Sequence, residues 1–201
     1  MHAISTILFD LGGVLLELDG LPIKDSWVDD PIPAEQNWLA WLRSPTVKEF
    51  ETGQISEEEF VAGVVREFNL KIDEQMFREA FIRWPKSLFT GAAGLLEQLK
   101  PQYNLAFFSN TNRLHLPRLL HDLNLASYFN HTYASCEIGF FKPDVESFIY
   151  VANDMQVAPE HVLFIDDNQI NVEGAVAAGM QGKRAVGLDE VKAVLAEFGL
   201  L

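Results

Sequence analysis

Asp10 ends the apolar run Ile7-Leu8-Phe9, Ser109-Asn110 end Ala106-Phe107-Phe108, and Asp166-Asp167 end Leu163-Phe164-Ile165. Runs of this kind read as buried strands. In an open α/β sheet ligands bind outside the carboxyl ends of strands, so these polar terminators are the first candidates for chemistry. If the three strands are neighbours in a parallel sheet, Asp10, Asp166 and Asp167 converge on one edge. Carboxylates brought that close repel one another, and a hard cation or a shared proton must offset them. A donor set of oxygens with no thiol or imidazole points to Mg²⁺. A strand-terminal Asp also serves as a helix N-cap or turn former. Asp167 and Asn168 both precede a helix and either can cap it, while Asn168 and Asn171 can instead orient the carboxylates.

Lys142 stands in Gly139-Phe140-Phe141-Lys142-Pro143-Asp144, directly before a proline suited to open a helix. Its ammonium can enter the same edge, pair with the carboxylates and offset the charge of a bound phosphate. The plainer alternative is a solvated lysine beside a turn.

The elements that would position these groups follow from periodicity. Strand-length runs lie at Ile4 to Asp10, Leu105 to Ser109, Thr132 to Ala134, Val162 to Asp166 and Arg184 to Val186. Helical spacing appears at Ala92 to Leu99, Leu116 to Leu123, Val145 to Met155, Asn171 to Ala178 and Val191 to Phe198. Alternating strand and helix predicts an α/β fold: a three-layer, Rossmann-like core with a mainly parallel sheet. About ninety residues separate the first two strands, far beyond the usual α/β connection. They carry helical patterns at Glu35 to Leu42, Thr46 to Glu51, Glu57 to Phe68 and Glu74 to Trp84, with no strand-like run among them. Ser56 and Glu59 form a capping box, and Pro45 after Ser44 suits a first helical position. The expected division is a core of residues 1–16 and 88–201 with an inserted, all-helical block over 17–87. That block holds Trp27, Trp38, Trp41 and Trp84, which read as its packing core or as a wall for a sugar-like ligand.

The chain has 201 residues, 48% of them apolar, enough to bury a substantial core. Its net charge of −14 disfavours nucleic acid, which is bound chiefly through Lys and Arg. The same charge repels anionic ligands, so a phosphate site must supply its own positive charge from a metal, a lysine or helix N-termini. Cys136 is the single cysteine and cannot form an internal disulfide, no window suits a membrane span, and a cytoplasmic location is expected.

Read in order, the motifs resemble those of the haloacid dehalogenase-like hydrolase superfamily. They are Phe9-Asp10-Leu11-Gly12-Gly13-Val14-Leu15, Phe108-Ser109-Asn110, Lys142-Pro143-Asp144 and Phe164-Ile165-Asp166-Asp167, with the helical block placed like that family's cap. The resemblance implies that Asp10 is a nucleophile that attacks phosphorus and forms an aspartyl phosphate. It makes Asp10, the Gly12 backbone carbonyl, Asp166 and Asp167 the Mg²⁺ ligands. It assigns Ser109, the Asn110 backbone and Lys142 to the transferring oxygens. The substrate class it implies is a small phosphorylated metabolite.

One position departs from the family pattern. Phosphatases of the superfamily usually carry a second Asp two residues after the nucleophile as acid and base, and here that position is Gly12. An acid from the cap or solvent, a leaving group that needs little protonation, or loss of phosphatase activity would each accommodate it. Phe9-Asp10-Leu11-Gly12 with Ser109-Asn110-Thr111-Asn112-Arg113-Leu114-His115 resembles the bacterial branch that includes α-D-glucose-1-phosphate phosphatase, which also has glycine there. A hexose 1-phosphate, with its better leaving group, fits that branch. The alternatives are a 2-haloacid dehalogenase, in which the late carboxylate pair is replaced, and a binding or regulatory protein of the same fold. Arg113 and His115 either enter the site or lie on a solvated face, Cys136 reads as a small partly buried residue, and Asp29-Asp30 as a solvated loop.

Overall fold

The computed structural model describes residues 3–201. Its main sheet has five parallel strands, β1 (Thr6–Phe9), β4 (Asn104–Ser109), β5 (His131–Ala134), β6 (Val162–Asp166) and β7 (Gln181–Arg184), in the order β5-β4-β1-β6-β7. Strand alternation sorts the core into two layers. On one face Ile7, Phe9, Leu105, Phe107, Leu163 and Ile165 pack on α5 (Ala92–Leu99) and α9 (Gly187–Glu197). On the other, Leu8, Ala106, Phe108 and Phe164 pack on α7 (Val145–Asp154) and α8 (Gln169–Ala177). The result is the expected three-layer α/β core. Both faces of β1 and β6 are buried, which is why these strands are apolar apart from Thr6 at the start of β1 and Asp166 at the end of β6.

Four helices, α1 (Ala34–Arg43), α2 (Pro45–Glu51), α3 (Glu57–Glu67) and α4 (Glu74–Ile82), occupy the long connection after β1. Their boundaries follow local signals. Ser44 accepts a hydrogen bond from Val47 N with Pro45 at the first helical position, and Ser56 with Glu59 closes a reciprocal capping box. Each such cap is worth about 1 kcal/mol. Trp41, Phe50, Phe60, Phe77 and Phe81 form the shared core of the block, with the Phe50 and Phe60 rings stacked at 4.1 Å.

Four expectations need correction. The last strand is Gln181–Arg184, not Arg184–Val186; it is a half-exposed edge strand of polar residues, so no apolar run marks it. The segment Leu116–Leu123 forms a π-helical turn over Arg118–Asp122 with only a short helical lead-in. A short helix, α6 (Ser135–Ile138), follows β5 without having been anticipated. Finally, two strands do occur beside the helical block: β2 (Leu16–Leu18) and β3 (Pro85–Leu88) pair antiparallel, Leu16 opposite Leu88 and Glu17 opposite Ser87. This pair ties together the chain entering and leaving the block. None of the helices over the described residues is long and apolar enough to cross a membrane.

Candidate active site

The order β4-β1-β6 puts Ser109, Asp10 and Asp166 side by side at the carboxyl edge of the sheet. The Asp10 amide donates to Ile165 O at 2.8 Å, so the ladder continues past Phe9 and sets Asp10 beside Asp166. Oxygen atoms of Asp10, Asp166 and Asp167 all lie within 4.8 Å of one another. Lys142 enters from the loop before α7 and is 2% exposed. Its Nζ donates to Asp10 Oδ1 at 2.7 Å and to Asp166 Oδ2 at 2.6 Å. The same ammonium lies 5.5 Å from the Phe108 ring centroid and 5.4 Å from that of Phe164. A buried ammonium is tolerable only with such partners, since charge without them carries a desolvation penalty of several kcal/mol.

One ammonium does not balance three carboxylates. Burial drives the Asp10 carboxyl upward, Lys142 draws it back, and Asp166 and Asp167 push it up again, to about 7. Burial and then Asp166 raise Asp167 to about 6, despite Lys142. Burial alone would lower Lys142, yet Asp10 and Asp166 more than offset it and hold the ammonium at about 12. The edge therefore carries an excess of negative charge that an oxygen-seeking divalent cation would relieve, and the donor set fits Mg²⁺. Gly12 lines the cavity onto which this edge opens. Gly13 explains itself: its φ is +72°, and a Cβ there would stand 2.5 Å from Asp167 Oδ2.

The surrounding amides hold these groups in place. Asp166 accepts from Asn168 N at 2.8 Å and from Asn171 Nδ2 at 3.1 Å on both oxygens. Asn171 thus orients a carboxylate, while the Asn168 side chain caps α8 by accepting from Ile170 N. The Asn110 side chain is committed to the Lys142 backbone, donating to its carbonyl and accepting from its N–H, both at 2.9 Å. Ser109, 7% exposed, lines the cavity beside Asp10.

That cavity, of about 670 Å³, extends from the sheet edge to the helical block. Trp38, Trp41 and Trp84 form part of its wall; the Trp38 and Trp84 ring centroids are 5.6 Å apart, and Trp41, 3% exposed, also packs on Phe60, Phe68 and Phe81. Trp27 packs edge-on against Phe77. Three of the four tryptophans therefore line the cavity, Trp38 and Trp84 with partial exposure and Trp41 almost fully buried, while Trp27 serves in packing. His115 is buried, its Nε2 2.7 Å from Phe81 O, while Arg113 is exposed. Cys136 is buried and burial pushes its thiol up to about 11, consistent with an inert packing residue. Asp29 pairs with Lys71 at the surface.

Sequence reasoning passed over Glu51, the last residue of α2, which is 8% exposed and lines the cavity. One signal was available: an acidic residue in the last turn of a helix opposes the helix dipole.

A family model described as haloacid dehalogenase-like hydrolase matches residues 4–179. The chain is 31% identical over 158 residues to flavin mononucleotide hydrolase 1 of Arabidopsis thaliana, covering 76% of this chain and 61% of that protein. It is 23% identical over 176 residues to the D-ribitol-5-phosphate phosphatase of Bacteroides thetaiotaomicron, covering 84% and 85% of the two chains. Among solved structures, a HAD-family enzyme of Bacteroides thetaiotaomicron in complex with magnesium and inorganic phosphate superposes with a TM-score of 0.71 at 25% identity, covering 92% of this chain and 94% of that one.

Proposed function

The chain belongs to the haloacid dehalogenase-like hydrolases, and from that membership we propose that it is a Mg²⁺-dependent phosphatase acting on a small phosphorylated metabolite. The observation that carries this reading is the joint burial of Asp10, Asp166 and Lys142 at one sheet edge with Asp167 beside them. A nucleophile for phosphorus, an oxygen-only metal site and a fixed ammonium stand within contact of one another. The intact pair Asp166-Asp167 favours phosphoryl transfer over dehalogenation.

In this mechanism an Asp10 oxygen attacks phosphorus, the new O–P bond forming as the bond to the leaving alcohol breaks. Lys142 and Ser109 hold the equatorial oxygens where charge accumulates. Water then attacks the aspartyl phosphate, breaking the Asp10 O–P bond and releasing phosphate. Asp10, Asp166, Asp167 and the Gly12 carbonyl would hold Mg²⁺, which when bound supplies Lewis-acid stabilisation of the phosphoryl oxygens. The helical block over 17–87 serves as the cap, with Trp38 and Trp84 against the organic part of the substrate.

A sugar phosphate such as a hexose 1-phosphate is the first candidate, because Gly12 contributes no acid. The relatives add two primary-alcohol phosphates, flavin mononucleotide and D-ribitol 5-phosphate, to the panel. The test is phosphate release from such a panel with and without Mg²⁺, using Asp10→Asn as the blank. Metal-dependent release abolished in the variant supports the reading; release equal to the blank on every phosphate, with turnover of a haloacid, replaces it with the dehalogenase.

A further inference from the structure

Glu51 has no local reason to be buried. It ends α2 at the negative pole of the helix, yet it is 8% exposed and shares the cavity with Asp10, Ser109 and Lys142. It reaches that cavity from the helical block, whereas the other carboxylates come from the sheet, and it stands outside the group whose oxygens lie within 4.8 Å of one another.

The chain around it is fixed on both sides. Asn112, fully buried with its Nδ2 3.3 Å from His115 Nδ1, is the neighbouring amide that favours the Glu51 carboxylate. Two residues beyond Glu51 the chain turns through Gly53 with φ +74°, where a Cβ would stand 2.8 Å from Cys136 O. One turn before it, the Lys48 ammonium sits 5.5 Å from the Phe141 ring. The end of α2 is thus docked on the core immediately beside the loop that carries Lys142. Burial raises the Glu51 carboxyl to about 8, against the pull of Lys142 and of the Asn112 amide, so its acid form is available at neutral pH.

We propose that Glu51 is the general acid and base of this site, supplying from the helical block the group that Gly12 lacks. The assignment rests on the phosphatase reading above. In the first step the Glu51 proton passes to the leaving oxygen as its bond to phosphorus breaks and the Asp10 O–P bond forms. In the second, the Glu51 carboxylate takes a proton from the attacking water as the new O–P bond forms and the Asp10 O–P bond breaks. Glu51 is then protonated again and Asp10 is free.

The test is leaving-group dependence in Glu51→Gln, which keeps size and hydrogen bonding but transfers no proton. The quantity is kcat/KM, which covers binding through expulsion of the leaving group and excludes hydrolysis of the phosphoenzyme, measured for p-nitrophenyl phosphate and for a sugar phosphate of a primary alcohol. The expected loss is on the order of 10² to 10⁴-fold for the alkyl ester. p-Nitrophenyl phosphate, whose leaving group needs no proton, should stay within a few-fold of wild type and show a burst of nitrophenol as hydrolysis of the phosphoenzyme slows. Glu51→Asp, which keeps the acid, should recover part of the alkyl activity. Equal losses on both esters, or no loss on either, overturn the assignment. A wild type silent on both esters removes the phosphatase reading and this one with it.

Discussion

Asn110 and Lys142 lie 32 positions apart and are joined by two reciprocal hydrogen bonds of 2.9 Å, side-chain amide to backbone N–H and carbonyl. The pair fastens the loop after β4 to the loop before α7, and so fixes the point from which the Lys142 side chain reaches Asp10 and Asp166. Cutting it should loosen the ammonium without removing it. Asn110→Ala is expected to lower kcat/KM for phosphate release by about 10- to 100-fold, the equivalent of roughly 1–3 kcal/mol for unmade buried hydrogen bonds. Circular dichroism should show an unchanged fold. Wild-type kinetics in this variant would mean that the loops are held by other contacts.

Lys142 itself is the sole ammonium touching Asp10 and Asp166 among the ion pairs of the described residues. Its replacement leaves buried carboxylates uncompensated, which costs about 3–5 kcal/mol. Lys142→Met should therefore unfold at markedly lower urea concentration, and Mg²⁺ should restore more stability to the variant than it adds to wild type. Urea titrations of both proteins with Mg²⁺ or a chelator measure the difference.

Gly13 is held to glycine twice over, by φ +72° and by the Asp167 carboxylate against its hydrogen. Gly20, with φ +70° and nothing near its missing Cβ, carries only the first constraint. Gly20→Ala should cost about 1 kcal/mol, the price of a left-handed backbone. Gly13→Ala should cost more and also displace Asp167, so the rise in melting temperature on adding Mg²⁺ should shrink in Gly13→Ala but not in Gly20→Ala.

His115 gives the fold an acid-sensitive point. Burial depresses its ring from the ordinary 6.5 to about 4, although the Phe81 carbonyl pulls the other way. Between those values the unfolded chain binds a proton that the folded chain refuses, so stability falls as pH drops through that window. The loss attributable to this residue reaches about 3 kcal/mol near pH 4 and vanishes above pH 6.5. His115→Gln should be the less stable protein at pH 7, having lost the ring packing on Phe81, yet show a flatter decline between pH 6.5 and 4. Parallel decline of the two proteins in urea unfolding would contradict this.

Much of the architecture is legible in the chain because it depends on local chemistry. β1, β4 and β6 are apolar runs with polar ends, Ser44-Pro45 and Ser56 with Glu59 announce α2 and α3, and the convergence of Asp10 with Asp166 follows once their strands are neighbours. β7 escaped because a polar edge strand looks like a loop until a neighbour pairs with it. β2 and β3 escaped for a related reason: strands of three and four residues, far apart in the sequence, are made by long-range pairing that no local pattern records. Trp38 and Trp41, three positions apart on one helix, read alike in the chain and both reach the cavity wall, yet Trp38 stays partly exposed while Trp41 is packed into the core of the helical block, because helix packing decides how far each face is covered. Glu51 is the extreme case. Its type suggests a solvated surface, and only the docking of α2 beside the Lys142 loop turns it into a buried acid facing the cavity that Asp10 lines.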